Sequence, residues 1–238
     1  MADEVILYDL PSKSGGCWSL NPWKTRLVLN YKGIPYKTQW VEYPDVAPLL
    51  KGFGIPPNKE GRPYTIPAAK LDSNTYIMDS LAITKELEKR YPTPSLHLDS
   101  PILPKAMQAL GKVAEGTRPV WMAKVPAALL NPPSAEYFLR TRSEQVGQPL
   151  LEYGKEKGGD QAWNNAEPAI KDLVALLKET DGPFFMGNEI SYADFVITSA
   201  LYFIRRIDEA DYEKIVSHDE SLVKLMDATA KYFERSDH

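Results

Sequence analysis

The sequence predicts a small mixed α/β domain followed by an all-helical one, on three observations. Strand-like and helix-like stretches alternate up to about Tyr91. The run Tyr91-Pro92-Thr93-Pro94-Ser95 then punctuates the chain. Beyond it the strand signals stop, while apolar residues recur at helical spacing. The expected boundaries are a first domain over 1–91, a linker over 92–103 and a helical domain over 104–238.

Taken in order, Val5 to Leu10 reads as a short strand, followed by a polar Gly-rich loop holding Cys17, Trp18, Ser19, Leu20, Asn21 and Pro22. Next comes an amphipathic helix with Trp23, Leu27 and Tyr31 on one face and the basic Lys24 and Arg26 off it. Pro22 is a helix-start signal, and Ser19 and Asn21 are both plausible caps. The Ser19 hydroxyl is therefore expected beside unpaired backbone N–H groups, a place that stabilises an anion. Thr38 to Glu42 alternates as a second strand, and Pro44 to Lys51 reads as a short helix ending at Gly52. A Pro-rich loop leads to a strand ending at Leu71. A turn at Asp72-Ser73-Asn74 returns the chain into Thr75 to Met78. A helix from about Asp79, with Ser80 in its first turn, runs to Arg90.

In the second half, Leu103, Met107, Leu110, Ala114, Thr117 and Trp121 mark one long helix face. Three more faces follow: Ile170 to Leu177, Ile197 to Ile204 and Leu222 to Thr229. Breakers at Asn131-Pro132-Pro133, Lys157-Gly158-Gly159 and Asp181-Gly182-Pro183 separate them.

Bulk properties remove several function classes. With 25% charged and 43% apolar residues the composition is that of a folded globular chain. A net charge of −4 supplies no basic surplus for nucleic acid. The first ten residues lack a basic start and an apolar core, which argues against a signal peptide, and no run has the length of a membrane span. The single cysteine, Cys17, forbids an internal disulfide and suits a reducing cytoplasm. His97, His218 and His238 are scattered without metal spacing. Gly52-Phe53-Gly54 leads into prolines rather than a helix, and no GxSxG elbow occurs.

Four stretches in this order resemble the glutathione transferase family: Ser19 to Leu29, Thr65-Ile66-Pro67-Ala68, Met78-Asp79-Ser80-Leu81-Ala82-Ile83, and Gly187 to Phe195 with its capping-box pattern. The resemblance implies a thioredoxin-like N-terminal domain and an all-helical C-terminal domain, assembled as a cytoplasmic homodimer. The first stretch is similar to omega-class members, with Ser19 where those carry a cysteine. With Val41-Glu42-Tyr43-Pro44-Asp45-Val46 it resembles serine-bearing fungal transferases related to bacterial β-etherases. That group is implied to conjugate glutathione, to reduce peroxides in some cases, and to bind aromatic plant-derived compounds such as polyphenols.

What the resemblance implies for the site has a physical counterpart at each residue. Glutathione is the implied co-substrate, with no metal. A free thiol has a pKa near about 8.5, and lowering it by two units takes roughly 2.7 kcal/mol of preferential anion stabilisation. A hydroxyl donating to charged sulfur supplies about 1.5–3 kcal/mol. A helix N-terminus adds about 0.3–1 kcal/mol. Ser19 is then a donor to the thiolate; the plain alternative is a helix cap. Ile66 and Pro67 would hold the cysteinyl backbone through a cis turn, against the plain reading of a trans Pro at a strand start. Asp79 and Ser80 would take the γ-glutamyl end, or only cap the helix, and Lys51 is the candidate for the glycyl carboxylate. Trp18, Leu20, Asn21, Trp121 and Met122 would line an apolar cleft for an aromatic electrophile, although an aromatic at helical spacing also suits a core. Cys17 is open between a reactive thiol and an inert small side chain. The rival function is a glutathione-dependent carrier of aromatics with little turnover.

Overall fold

The structure, a computed structural model, describes residues 4–236; residues 1–3 and 237–238, His238 among them, lie outside the described residues. The chain forms two units. One contains the residues up to Ser95 together with those from Tyr232, and the other spans Leu96–Lys231.

The first unit runs β1 (Val5–Asp9), α1 (Leu20–Tyr31), β2 (Tyr36–Trp40), α2 (Tyr43–Gly52), β3 (Ala68–Lys70), β4 (Tyr76–Met78) and α3 (Ser80–Arg90). This is the alternation that the sequence predicts. The four strands form one sheet in the order β2-β1-β3-β4. β1 and β2 are parallel, paired from Val5 with Tyr36 to Asp9 with Trp40, so β2 starts two residues before the expected Thr38. Tyr36 is buried there, which the polar look of the stretch concealed. β3 is antiparallel to both β1 and β4, with Tyr8 opposite Ala68 and Ala68 opposite Met78. That register puts the ends of β1 and β4 and the beginning of β3 at the same end of the sheet. The helices following β1 and β4, α1 and α3, therefore both begin there, and they pack against each other.

One expectation for α1 is overturned. Trp23 and Leu27 are buried as the periodicity requires, but Arg26 is also fully buried instead of lying off the apolar face. Its Nη2 donates to Asp9 Oδ2 at 2.8 Å, at the end of β1, and its Nη1 donates to Tyr36 Oη at 3.2 Å and Thr38 Oγ1 at 3.1 Å. The guanidinium lies over the rings of Trp23, Tyr36 and Trp40. A buried cation is tolerable with such a counter-charge and acceptors at both terminal nitrogens, although Arg26 Nε itself is buried without an acceptor.

The second unit is helical: α4 (Ile102–Leu129), α5 (Pro132–Val146), α6 (Leu150–Lys157), α7 (Gly159–Leu177), α8 (Tyr192–Ile207), α9 (Glu209–Val216) and α10 (Glu220–Thr229). The expected face of α4 is rotated. Leu103 and Thr117 are buried, but Met107 is 41% exposed, and Ala106, Ala109, Val113 and Val120 form the buried stripe instead. Small side chains on that stripe let α7 approach closely: a Cβ at Gly116 would meet the Ala166 backbone at 2.8 Å. At the centre stands α8, buried on nearly every side. Its start is held by Asp194, which accepts from Ser191 N at 2.7 Å, Ser191 Oγ at 2.7 Å and Phe185 N at 2.9 Å.

Candidate active site

The end of the sheet where α1 and α3 begin gathers the polar residues that the sequence singles out. Ser19 is the N-cap residue of α1 in extended conformation, and Trp23 N donates to its carbonyl at 3.1 Å. Its side chain makes no capping hydrogen bond. The hydroxyl is half-buried at a helix start and is not consumed by the helix it introduces, which counts against the plain cap reading.

Across the sheet end, the Ile66-Pro67 peptide bond is cis, as the resemblance implies, and so is Thr93-Pro94. The carbonyl of Pro67 accepts from Asp79 N at 3.1 Å, tying the turn before β3 to the residue that opens α3. Asp79 caps α3: its Oδ1 accepts from Leu81 N and Ala82 N, both at 3.0 Å. It does so at φ 85, a strained region for a residue with a Cβ. Three constraints hold it there: the Pro67 bond, the two capping bonds, and Ile83 N donating to its carbonyl at 2.9 Å. Ser80 follows, buried. The structure thus brings Pro67, Asp79 and Ser80 together and sets the start of α1 at the same end of the sheet.

The remaining sequence-predicted residues fare differently. Lys51 lies in the last turn of α2 with its Nζ 5.6 Å from the centre of the Tyr64 ring. Trp18 is 1% exposed, and its indole N–H donates to Pro11 O at 3.1 Å. So little exposed surface does not suit the expectation that it lines an open cleft. Leu20 is half-buried and Asn21 is exposed at the head of α1. On α4, Met122 is buried and Trp121 is half-buried, edge-on to Phe203 with ring centres 5.4 Å apart. The burial of Met122 fits the core reading. Cys17 is also buried, and its Sγ donates to the carbonyl of Ser236. An interior thiol held in this way suits the inert reading of that residue.

Sequence reasoning passed over Lys24. It lies on α1 with its Nζ donating to Asn21 Oδ1 at 2.9 Å. Loss of hydration lowers its pKa to about 8, and the charge of Asp79 works in the opposite direction.

Among the described residues, no group of three or more His, Cys, Asp or Glu side chains has the arrangement of a metal site. No helix among them is long and apolar enough to cross a membrane.

A four-stranded mixed sheet, with a cis-Pro turn at the same end as two helix starts, followed by a helical unit, is the architecture that the four sequence stretches lead one to expect. Comparison with known proteins agrees. Residues 18–90 match the family model of the glutathione S-transferase N-terminal domain, and residues 107–232 match that of the C-terminal domain. The glutathione S-transferase-like protein ustS of Aspergillus flavus is 34% identical, over 89% of this chain and 82% of the relative. Glutathione transferase GSTFuA2 of Phanerochaete chrysosporium superposes with a TM-score of 0.88 at 28% identity, covering 99% of this chain and all of that one. A glutathione S-transferase of Ceriporiopsis subvermispora, solved in complex with glutathione, gives a TM-score of 0.82 at 31% identity, covering 97% and 98% of the two chains. The chain belongs to the glutathione S-transferase family, and it is an enzyme of the glutathione transferase type.

Proposed function

We propose that this enzyme binds glutathione in its first unit, that Ser19 donates a hydrogen bond to the glutathione thiolate, and that the thiolate attacks an apolar aromatic electrophile. The observation that carries this is the Ser19 hydroxyl, uncommitted to capping at the start of α1. It lies at the end of the sheet that also holds Pro67 and Asp79. Among the described residues, the N–H and C=O of Ile66 make no hydrogen bond within the first unit, so both are available to pair with the cysteinyl backbone in the manner of a short strand. The first turn of α3 and Asp79 suit the γ-glutamyl carboxylate and ammonium, and Lys51 suits the glycyl carboxylate.

No side chain needs to act as a base. The hydroxyl bond, at about 1.5–3 kcal/mol, and the helix end, at about 0.3–1 kcal/mol, together cover the roughly 2.7 kcal/mol that a two-unit pKa reduction requires. In the transfer a sulfur–carbon bond forms, the leaving group departs with its electron pair, and Ser19 keeps its proton. Leu20 and Asn21, at the head of α1, remain the proposed first-unit contacts for the aromatic partner. Aryl ethers and peroxides are the further substrate classes that the family likeness suggests, and a cytoplasmic homodimer is the proposed form.

The test is Ser19→Ala. Conjugation of a small aryl halide should fall sharply while glutathione still binds, and the thiolate absorbance of bound glutathione should move to higher pH. Undiminished turnover would remove Ser19 from the mechanism. Saturable polyphenol binding without turnover of any electrophile panel would favour the carrier reading instead.

A further inference from the structure

Ser19 raises a mechanical question, because its carbonyl is tied to Trp23 N at 3.1 Å while its side chain makes no capping bond. The loop before it contains Gly15 and Gly16, both at positive φ (76 and 74). A donor that must meet a sulfur within a few tenths of an ångström requires a supporting shell.

That shell comes from the other end of the sequence. Residues Tyr232–Ser236 belong to the first unit and lie against α1 and β2. Asn30 Nδ2 donates to Tyr232 O at 2.6 Å and to Arg235 O at 3.0 Å. Arg235 Nη2 donates to Tyr36 O at 2.8 Å, and its guanidinium stands 4.2 Å from the centre of the Tyr36 ring. Phe233 packs on Trp23 with ring centres 4.7 Å apart, and Tyr232 meets Tyr31 edge-on at 5.4 Å. Ser236 O accepts from Cys17 Sγ. The segment therefore touches the chain on both sides of Ser19, at Cys17 two residues before it and at Trp23 four residues after it.

We propose that Tyr232–Ser236 is a strap that positions the Ser19 loop for catalysis, fastened by Asn30 and Arg235. Neither fastener touches substrate; both act through the loop. The proposal rests on the Ser19 reading above. It also gives buried Cys17 a use: as the only thiol in the chain, it reports whether the strap is closed.

The experiment compares wild type, Arg235→Ala, Arg235→Lys and Asn30→Ala/Arg235→Ala in the full chain. Two quantities are read: the rate of Cys17 alkylation by iodoacetamide, and the pH dependence of kcat/KM with glutathione and an aryl halide. Loosening the strap should speed alkylation by about tenfold or more in the double variant, which loses the three hydrogen bonds through which Arg235 and Asn30 hold the strap, and by a smaller factor in Arg235→Ala, which loses one together with the cation over Tyr36. The acidic limb of kcat/KM should move to higher pH in the same variants, with KM for glutathione little changed. Arg235→Lys, which keeps a cation over Tyr36, should restore most of both. Should the double variant fail to fold, Arg235→Ala alone carries the test. Faster alkylation with an unmoved pH limb would overturn the positioning role, and an unchanged alkylation rate would overturn the strap itself. Failure of the Ser19 reading shows separately, as full conjugation by Ser19→Ala with Cys17 still protected.

Discussion

Removing the charge of Arg26 tests how α1 is attached to the sheet. Neither side chain of the Arg26–Asp9 pair has any solvent exposure, and the contact is 2.8 Å. Burial pushes the Asp9 carboxyl pKa up, against the opposing pull of Arg26 and the Leu10 N–H. For Arg26, burial is the largest single influence and works against the charge, but the fields of Asp9, Cys17 and Tyr36 and the Asp9 hydrogen bond together outweigh it and raise the guanidinium pKa. Breaking such a pair by removing one partner costs about 3–5 kcal/mol, because the other charge stays buried. The two single variants should differ within that range. In Arg26→Met the orphaned carboxyl escapes by taking a proton, which its environment already favours, so the loss should lie near about 3 kcal/mol. In Asp9→Asn the guanidinium cannot shed its proton, so the loss should approach about 5 kcal/mol. The double variant Asp9→Asn/Arg26→Met leaves no buried charge and should recover about 2–4 kcal/mol relative to the sum. Urea unfolding followed by tryptophan fluorescence, with hydrogen exchange of the α1 amides, measures all three. Additivity of the two single losses to within about 0.5 kcal/mol would refute the reasoning, since it would mean that the charges do not sense each other.

Two further outcomes concern pH. Asp72 accepts from Asn74 N and Thr75 Oγ1 and is paired with Arg90, which holds its pKa at about 2. With an unfolded-state value near about 3.9, its contribution is complete above that pH and is lost as pH falls towards about 2. Asp72→Asn should therefore lower the urea midpoint at pH 6 and converge with wild type at pH 2. Lys24 has the opposite sign: its folded pKa of about 8 lies below the unfolded value of about 10.4, so the unfolded chain binds the extra proton between them. Stability should rise from about pH 8 to about pH 10, and Lys24→Met should abolish that rise, as urea midpoints across the range will show.

Much of the architecture was legible because it rests on local signals. Turn residues at Asp72-Ser73-Asn74, the Pro-rich stop after Tyr91 and the strand–helix alternation carry the first unit, and apolar periodicity carries α7, α8 and α10. What escaped depends on partners distant in sequence. α5, α6 and α9 are short or weakly amphipathic and become visible only through the helices they cover. The α4 face was misphased because Ala106 and Ala109, not the larger Met107 and Leu110, are the buried residues of that stretch. Arg26 is the more instructive miss. Reading α1 by fours selected Trp23, Leu27 and Tyr31. The positions three and seven beyond Trp23 lie on the same face, and they are Arg26 and Asn30. A polar residue in a helical core stripe signals a buried partner, here Asp9 for one and the strap carbonyls for the other.

The same reasoning explains why the site is where it is. The sheet register places two helix beginnings at one end and so concentrates unpaired N–H groups there, which favours anions before any side chain is chosen. In the function proposed above, this anion site becomes a thiolate site because one donor is withheld from the backbone. At α3 the cap is used: Asp79 spends Oδ1 on Leu81 and Ala82 and accepts a strained φ to do so. At α1 the cap is not used: Ser19 stands in the capping position with its hydroxyl unspent. An N-cap without its bond gives up about 1 kcal/mol of helix stability. The packing of Trp23 and Leu27 and the ion pair at Arg26 hold the helix without it. The buried charge at the middle of α1 and the idle hydroxyl at its head are thus two parts of one arrangement, in which stability invested along the helix frees a donor at its end.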